Sequence, residues 1–268
     1  VVEPVVEPVV EPVVEPVVEP VVEHTIIDDT VHVVYVTESS THLLETIAAL
    51  NSQTIVGNIQ VHILSYYDID ILNELLSNIT ILFECSISSI EYCIDKYKYS
   101  NMLREQDINY IIYIDDNISF DSTWIYRLYN MRDVNHLITW DIKVFIYNDE
   151  LITYNIGNDN NYTSLLIDFK KDSVVSHHDI LNRLNKDHIY GNYGGLSGCI
   201  IDTSFLQYDD FYITDNIKNL DDIWVSFYII NKLDWTIIRS FELPQITSIK
   251  KERLTEVKQN YFFNSLLV

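Results

Sequence analysis

The spacing of apolar and polar positions changes character several times along the chain, and each change predicts an element. Residues 31–36 form a β-branched run that reads as a strand. Thr37, Glu38, Ser39 and Ser40 then supply capping residues for a helix whose apolar positions, Leu43, Leu44, Ile47, Ala48 and Leu50, are helically spaced. A second strand over 59–64 closes in Ser65-Tyr66-Tyr67-Asp68. The pattern next predicts a short helix over 71–76, a third strand over 79–83, a helix over 89–105 and a fourth strand over 110–114. This βαβα order predicts a mostly parallel, doubly wound α/β sheet with helices on both faces and right-handed crossovers.

Beyond the fourth strand, residues 122–132 predict a helix capped by Ser122, with Ile125, Leu128 and Tyr129 on its inner face. Residues 137–154 alternate like an antiparallel pair turning at Asn148-Asp149-Glu150, and 159–188 read as polar loop with some helix. Gly191, Gly194, Gly195 and Gly198 cluster although the whole chain has only 6 glycines, so backbone must approach something closely there or turn tightly. A strand over 199–202 follows. Asp221 and Asp222 then open an amphipathic helix, where interaction with the helix dipole alone would account for two acids.

Ahead of all this, Val-Val-Glu-Pro repeats over residues 1–20 and ends in Val21-Val22-Glu23-His24. Proline at every fourth position disfavours helix and leaves an extended arm, read as a spacer or alternatively as a docking strand for another subunit. The expected organisation is an extended tail at 1–24 and one domain at 25–268. Within that domain, a nucleotide-binding half covers about 30–120, an acceptor half about 121–245 and a C-terminal extension 246–268.

Composition narrows the chemistry. With 17 Lys and Arg against 40 Asp and Glu, the formal charge of −23 excludes non-specific nucleic-acid binding, which needs a basic surface. An acidic chain that handles a phosphorylated ligand needs a metal or a few local cations. Cys85, Cys93 and Cys199 have neither zinc-ligand spacing nor a disulfide framework, and read as buried thiols in a reducing compartment. No apolar run reaches the length of a membrane span, so a soluble, cytoplasmic protein is expected.

The strongest chemical signal is Tyr110-Ile111-Ile112-Tyr113-Ile114-Asp115-Asp116-Asn117, a run buried on both faces that ends in two carboxylates and an amide. The C-terminal end of such a strand is where open α/β sheets bind ligands. Adjacent carboxylates there repel unless a cation compensates, and hard oxygen ligands suit Mg2+ or Mn2+ carrying a diphosphate. A solvated turn is the bland alternative.

A capped first strand, an acid after the second, a strand ending in Asp-Asp-Asn, a Gly-Gly segment and an Asp-Asp-Ile-Trp helix start occur here in one order. Over about residues 30–245 the chain thereby resembles the nucleotide-diphospho-sugar glycosyltransferases of the A-type, Rossmann-like fold. In its Asn, Ile and Tyr content and its low-complexity arm it further resembles such enzymes of large DNA viruses, which would place it in a host's cytoplasm. The resemblance puts the DxD-type motif on Asp115, Asp116 and Asn117, with nucleotide contacts from the two acids and a Mn2+ or Mg2+ ion at the motif. Asn117 is an amide where the family has an acid, which leaves a weaker metal site, a shift to Asp116 or a metal-independent site open. It also implies nucleotide contacts from Thr37, Glu38 and Asp68, and a sugar and acceptor cleft lined by Gly194, Gly195 and Trp224. Asp222, preceded by Asp221, matches the last acid of the xED-type motif and would be the general base.

The activity so implied is inverting transfer of a sugar from a nucleotide-diphosphate donor, a UDP-sugar foremost, to a hydroxyl of a glycan, protein or small molecule. Many relatives use a late histidine as an extra metal ligand, whereas all eight histidines here lie at or before His188, and the His177–His178 pair is left outside the site. A non-catalytic sugar- or nucleotide-binding protein on the same fold is the alternative. A nucleotidyltransferase is disfavoured, because no Gly-rich phosphate loop with a cation follows the first strand.

Overall fold

The computed structural model describes residues 29–37, 40–55, 59–92, 94–116, 118–140, 142–148, 150–155, 188–191, 193–208, 211, 221–240 and 247–248. Strands β1 (Val31–Thr37), β2 (Ile59–Ser65), β3 (Glu84–Ser89) and β4 (Tyr110–Asp115) run parallel in the order β3-β2-β1-β4. Helices α1 (Ser40–Asn51), α2 (Ile69–Ser77) and α3 (Asp95–Arg104) connect them in turn. The sheet continues through β11 (Cys199–Asp202), β6 (His136–Thr139), β12 (Thr236–Ser240) and β9 (His188–Gly191), making eight strands. β11 runs antiparallel to both β4 and β6, β6 and β12 pair parallel, and β9 closes the edge antiparallel.

Period-two alternation explains why both faces need helices. Val33 and Tyr35 of β1 and Ile112 and Ile114 of β4 point into one core with Leu43 and Ile47 of α1, Leu72 of α2, and Trp124 and Leu128 of α4 (Trp124–Asn130). Their neighbours Val34, Val36, Ile111 and Tyr113 point into the other, with Tyr97 and Leu103 of α3 and Val225 and Tyr228 of α5 (Asp221–Asn231). Each such side chain taken from water contributes about 1.5–3 kcal/mol, so a run apolar on both faces is stable only when sandwiched. The expected α/β sheet with helices on both faces is the fold observed.

Local departures have physical reasons. The third strand lies at Glu84–Ser89, not at 79–83, because β3 is the sheet edge and carries exposed Glu84, Cys85 and Ser89 rather than an apolar run, so Cys85 is not the buried thiol expected while Cys199 is buried. Ile79, Ile81 and Phe83 pack partly buried beside α1 and α2 without strand pairing, with the Asn51 side chain bonded to Thr80 O and Leu82 N. The cap expected from Ser122 is not formed: the helix starts one residue later, after Thr123, which makes no side-chain cap bond, and Asp121 instead holds the preceding turn by accepting from Thr123 N at 2.8 Å. Residues 137–139 belong to the main sheet, while the antiparallel pair is β7 (Ile142–Asn148) with β8 (Glu150–Asn155), joined by β10 (Tyr193–Gly194) in a second sheet. The repeat arm, the 159–187 segment and nearly all of the C-terminal extension lie outside the described residues. Its short strand β13 (Thr247–Ser248) pairs with β5 (Ile118–Ser119), directly after the Asp-Asp-Asn motif.

Candidate active site

The parallel register sets Val36 beside Asp115, so the last residues of β1 and β4 reach the same edge of the sheet. Just beyond β4, Asp116 is 6 % exposed, and its two carboxylate oxygens are held by different residues of β1. Tyr35 OH donates to Oδ1, and Thr37 Oγ1 donates to Oδ2 at 3.2 Å. Burial and then the negative Asp116 push the Tyr35 phenol far up, which keeps it a donor. Thr37, expected to face the nucleotide, is fully buried and orients Asp116.

The second acid pair arrives from α5. Asp221 Oδ2 accepts from Lys96 Nζ at 2.7 Å and from Tyr97 OH at 2.7 Å, both on α3. The Lys96 side chain is only 6 % exposed and its ammonium lies 5.3 Å and 5.8 Å from the ring centroids of Tyr97 and Tyr113. Ser100 fixes this arrangement, donating to Lys96 O and accepting from Tyr113 OH at 2.7 Å. Asp222 is anchored through its backbone, where its carbonyl accepts from Ser226 Oγ at 2.6 Å and the same hydroxyl accepts from Gly194 N at 3.0 Å.

Asp115 registers the convergence of these pairs. Burial pushes its carboxyl up to about 6; Lys96 opposes the rise, while Asp221, Asp222 and Asp116 add to it. Residues more than a hundred positions apart in sequence therefore act on one carboxyl, and the two acid pairs share one electrostatic site at the C-terminal edge of the sheet. Cys199, paired with Tyr113 across β11 and β4, lies behind the cluster as a buried thiol, raised chiefly by burial and inert as a nucleophile.

The remaining sequence candidates have other partners. Asp68 caps α2, accepting from Asp70 N at 2.8 Å. Gly194 is required by packing: a Cβ there would meet Leu137 Cδ2 at 2.8 Å, Ile237 Cγ2 at 2.9 Å and Thr139 Cγ2 at 3.0 Å. Gly195 is buried too, its carbonyl accepting from Thr139 Oγ1 at 2.7 Å. Gly198, with φ 87, is the glycine whose left-handed turn starts β11. Trp224 stacks on Phe227 with centroids 5.9 Å apart, and its indole N–H is buried with no hydrogen-bond partner among the described residues. Glu38 and Asn117 lie outside the described residues.

Four residues that shape the cluster were absent from the sequence candidates: Tyr35, Lys96, Tyr97 and Ser226. Lys96 carried a readable signal, since its spacing to Ser100 and Leu103 puts a lysine on the buried face of α3.

Among the described residues no group of three or more His, Cys, Asp and Glu side chains forms a complete metal-ligand set. The donor chemistry nevertheless suits a hard divalent cation. Asp115, Asp116, Asp221 and Asp222 supply hard carboxylate oxygens, burial raises Asp115, and Mg2+-type sites commonly use one or two carboxylates with the rest of the shell from phosphate and water.

The sheet order and the site edge define the A-type glycosyltransferase fold. Among solved structures, the chain is similar to the crystal structure of GalNAc-T7 with UDP, GalNAc and Mn2+, with a TM-score of 0.52 and 10% identity over 85% of this chain. The chain spans 45% of that protein's length, and at this identity the likeness is one of fold. No protein-family model and no curated protein matches the sequence.

Proposed function

We propose that this protein is a glycosyltransferase that moves a sugar from a nucleotide-diphosphate donor, a UDP-sugar foremost, to an acceptor hydroxyl with inversion. What supports this reading is that Lys96 and Tyr97, which bond Asp221, also lie against Tyr113 of β4, the strand ending in Asp115, while Asp221 and Asp222 act electrostatically on that carboxyl. Asp222 takes the acceptor proton as the acceptor oxygen bonds to the anomeric carbon and the bond from that carbon to the diphosphate oxygen breaks. Asp221, occupied by Lys96 and Tyr97, is poorly placed to serve as that base. Asp115 and Asp116 would hold Mn2+ or Mg2+, with Tyr35 and Thr37 orienting Asp116. A bound divalent ion would offset the charge that develops on the leaving diphosphate. The neighbour's complex with UDP, GalNAc and Mn2+ supports the same donor and metal classes.

A panel of nucleotide sugars, assayed with Mn2+ for donor hydrolysis and transfer, tests the reading. Turnover of one donor, with UDP raising the melting temperature only when Mn2+ is present, is the expected result. Thermal stabilisation without turnover of any donor would instead make the protein a binding module.

A further inference from the structure

Lys96 is an anomaly in a cluster that the preceding reading assigns to cation and donor handling. It is 5 % exposed, so it is badly placed to meet a diphosphate arriving from solvent. A buried ammonium is costly unless paired and hydrogen-bonded, so its retention on α3 calls for an account. Its geometry supplies one. Lys96 and Tyr97 converge on the same oxygen of Asp221, each at 2.7 Å, and bind α3 to the first turn of α5. The next residue of that turn is Asp222.

From the other side, Ser226 fixes the following turn, with its hydroxyl on Asp222 O and on the backbone of Gly194. The start of α5 is thus held from two directions: by an ion pair to the helix beside β4, and by a hydroxyl bridge to the strand pair behind it. Lys96 Nζ also lies 5.8 Å from the ring centroid of Tyr113, so one side chain bonds the helix that carries Asp222 and lies against the strand that ends in Asp115.

We propose that Lys96 is a positioning residue: by clamping Asp221, it fixes the first turn of α5 so that Asp222 faces the strand end carrying Asp115 and Asp116. The inference rests on the glycosyltransferase reading for its functional consequence, but its structural part stands apart from it. A base displaced by about 1 Å can lose on the order of 100-fold in rate while ground-state binding persists. Lys96 therefore governs kcat rather than donor affinity.

The test compares wild type, K96M, K96R and the double variant K96M/D221N, which removes both partners of the Lys96–Asp221 ion pair and guards against K96M failing to fold. Three readouts are needed: kcat and KM for the UDP-sugar turned over by wild type, calorimetric binding of UDP with Mn2+, and amide exchange over residues 225–228. K96M and the double variant are expected to lose about 10- to 100-fold in kcat, with UDP affinity within about threefold of wild type. K96R is expected to recover part of the rate, because a guanidinium keeps the pair to Asp221. Exchange in the 225–228 segment should rise in K96M beyond any rise in the central sheet.

A wild-type kcat in both K96M and the double variant would overturn the proposal, as would parallel loss of kcat and UDP binding in a folded variant, which would make Lys96 a donor ligand. If wild type turns over no UDP-sugar, the glycosyltransferase reading fails separately. The exchange result then decides the clamp: selective loosening of α5 upholds it, and unchanged exchange ends it.

Discussion

Two buried polar clusters flank the same stretch of sheet, and they solve desolvation in opposite ways. At the C-terminal edge, Lys96 pairs with Asp221, and burial first, with the neighbouring Asp221, Asp222 and Asp116 adding to it, pushes Asp115 up to about 6. Within the β1–β3 layer, His32 and His62 stack with rings 5.4 Å apart, and His62 Nδ1 lies 3.0 Å from both Ser86 Oγ and Tyr99 OH. Burial lowers the pKa of both histidines, His62 to about 4, so this second cluster is neutral and satisfied internally. One cluster gathers acids and an ammonium at the C-terminal edge of the sheet; the other removes charge where strands and helix pack. Electrostatic imbalance of the first kind marks a functional site more reliably than burial alone.

The largest effect should come from removing the base. Asp222→Asn is expected to lower kcat about 100- to 10,000-fold while UDP affinity in the presence of Mn2+ stays within about threefold. Steady-state kinetics beside calorimetry separate the two, and equal losses would take Asp222 out of that role. Next in size, Tyr35→Phe should weaken Mn2+ binding about 10- to 100-fold by freeing Asp116 to turn, as outer-shell partners of metal ligands commonly do. Mn2+ titration followed by electron paramagnetic resonance measures this directly. An unchanged affinity would make the Tyr35–Asp116 bond structural, and the edge cluster more like its neutral counterpart.

The sequence made the core of this site legible because β4 is apolar on both faces and then stops abruptly in acids. That contrast is local, and it put Asp115 and Asp116 at the end of a central strand without a structure. Lys96 was harder to read, since in sequence it is one of two lysines flanking Tyr97, and only helical phase separates the buried Lys96 from the exposed Lys98. β3 was misplaced because edge strands carry little apolar signal. The glycines were seen but their reason was hidden: Gly194 is small to admit Leu137, Ile237 and Thr139, which lie more than forty positions away in sequence or on another strand. Gly194→Ala is therefore expected to destabilise the fold by about 1–3 kcal/mol through overpacking. A urea melt with donor affinity measured in the folded fraction decides it. Loss of donor affinity without loss of stability would restore the glycine to the substrate cleft.

The smallest effect tests the neutral cluster by pH. An unfolded histidine titrates near 6.5 and His62 in the fold near 4, so the folded state binds fewer protons between these values. Its contribution to stability is thus fully present above pH 6.5, falls as the pH drops toward 4, and has no further slope below that. At pH 5.5 the loss amounts to about 1 kcal/mol from this residue. Chemical denaturation of wild type and His62→Gln at pH 7.5, 5.5 and 4.5 measures the contribution of His62 together with its coupling to the stacked His32, since titrating groups away from the pair cancel in the difference. The variant should be the less stable protein at pH 7.5 and should close part of that gap on acidification. A gap that stayed constant would mean that His62 is as easily protonated in the fold as outside it, and the contrast between a charged edge and a neutral interior would lose its second half.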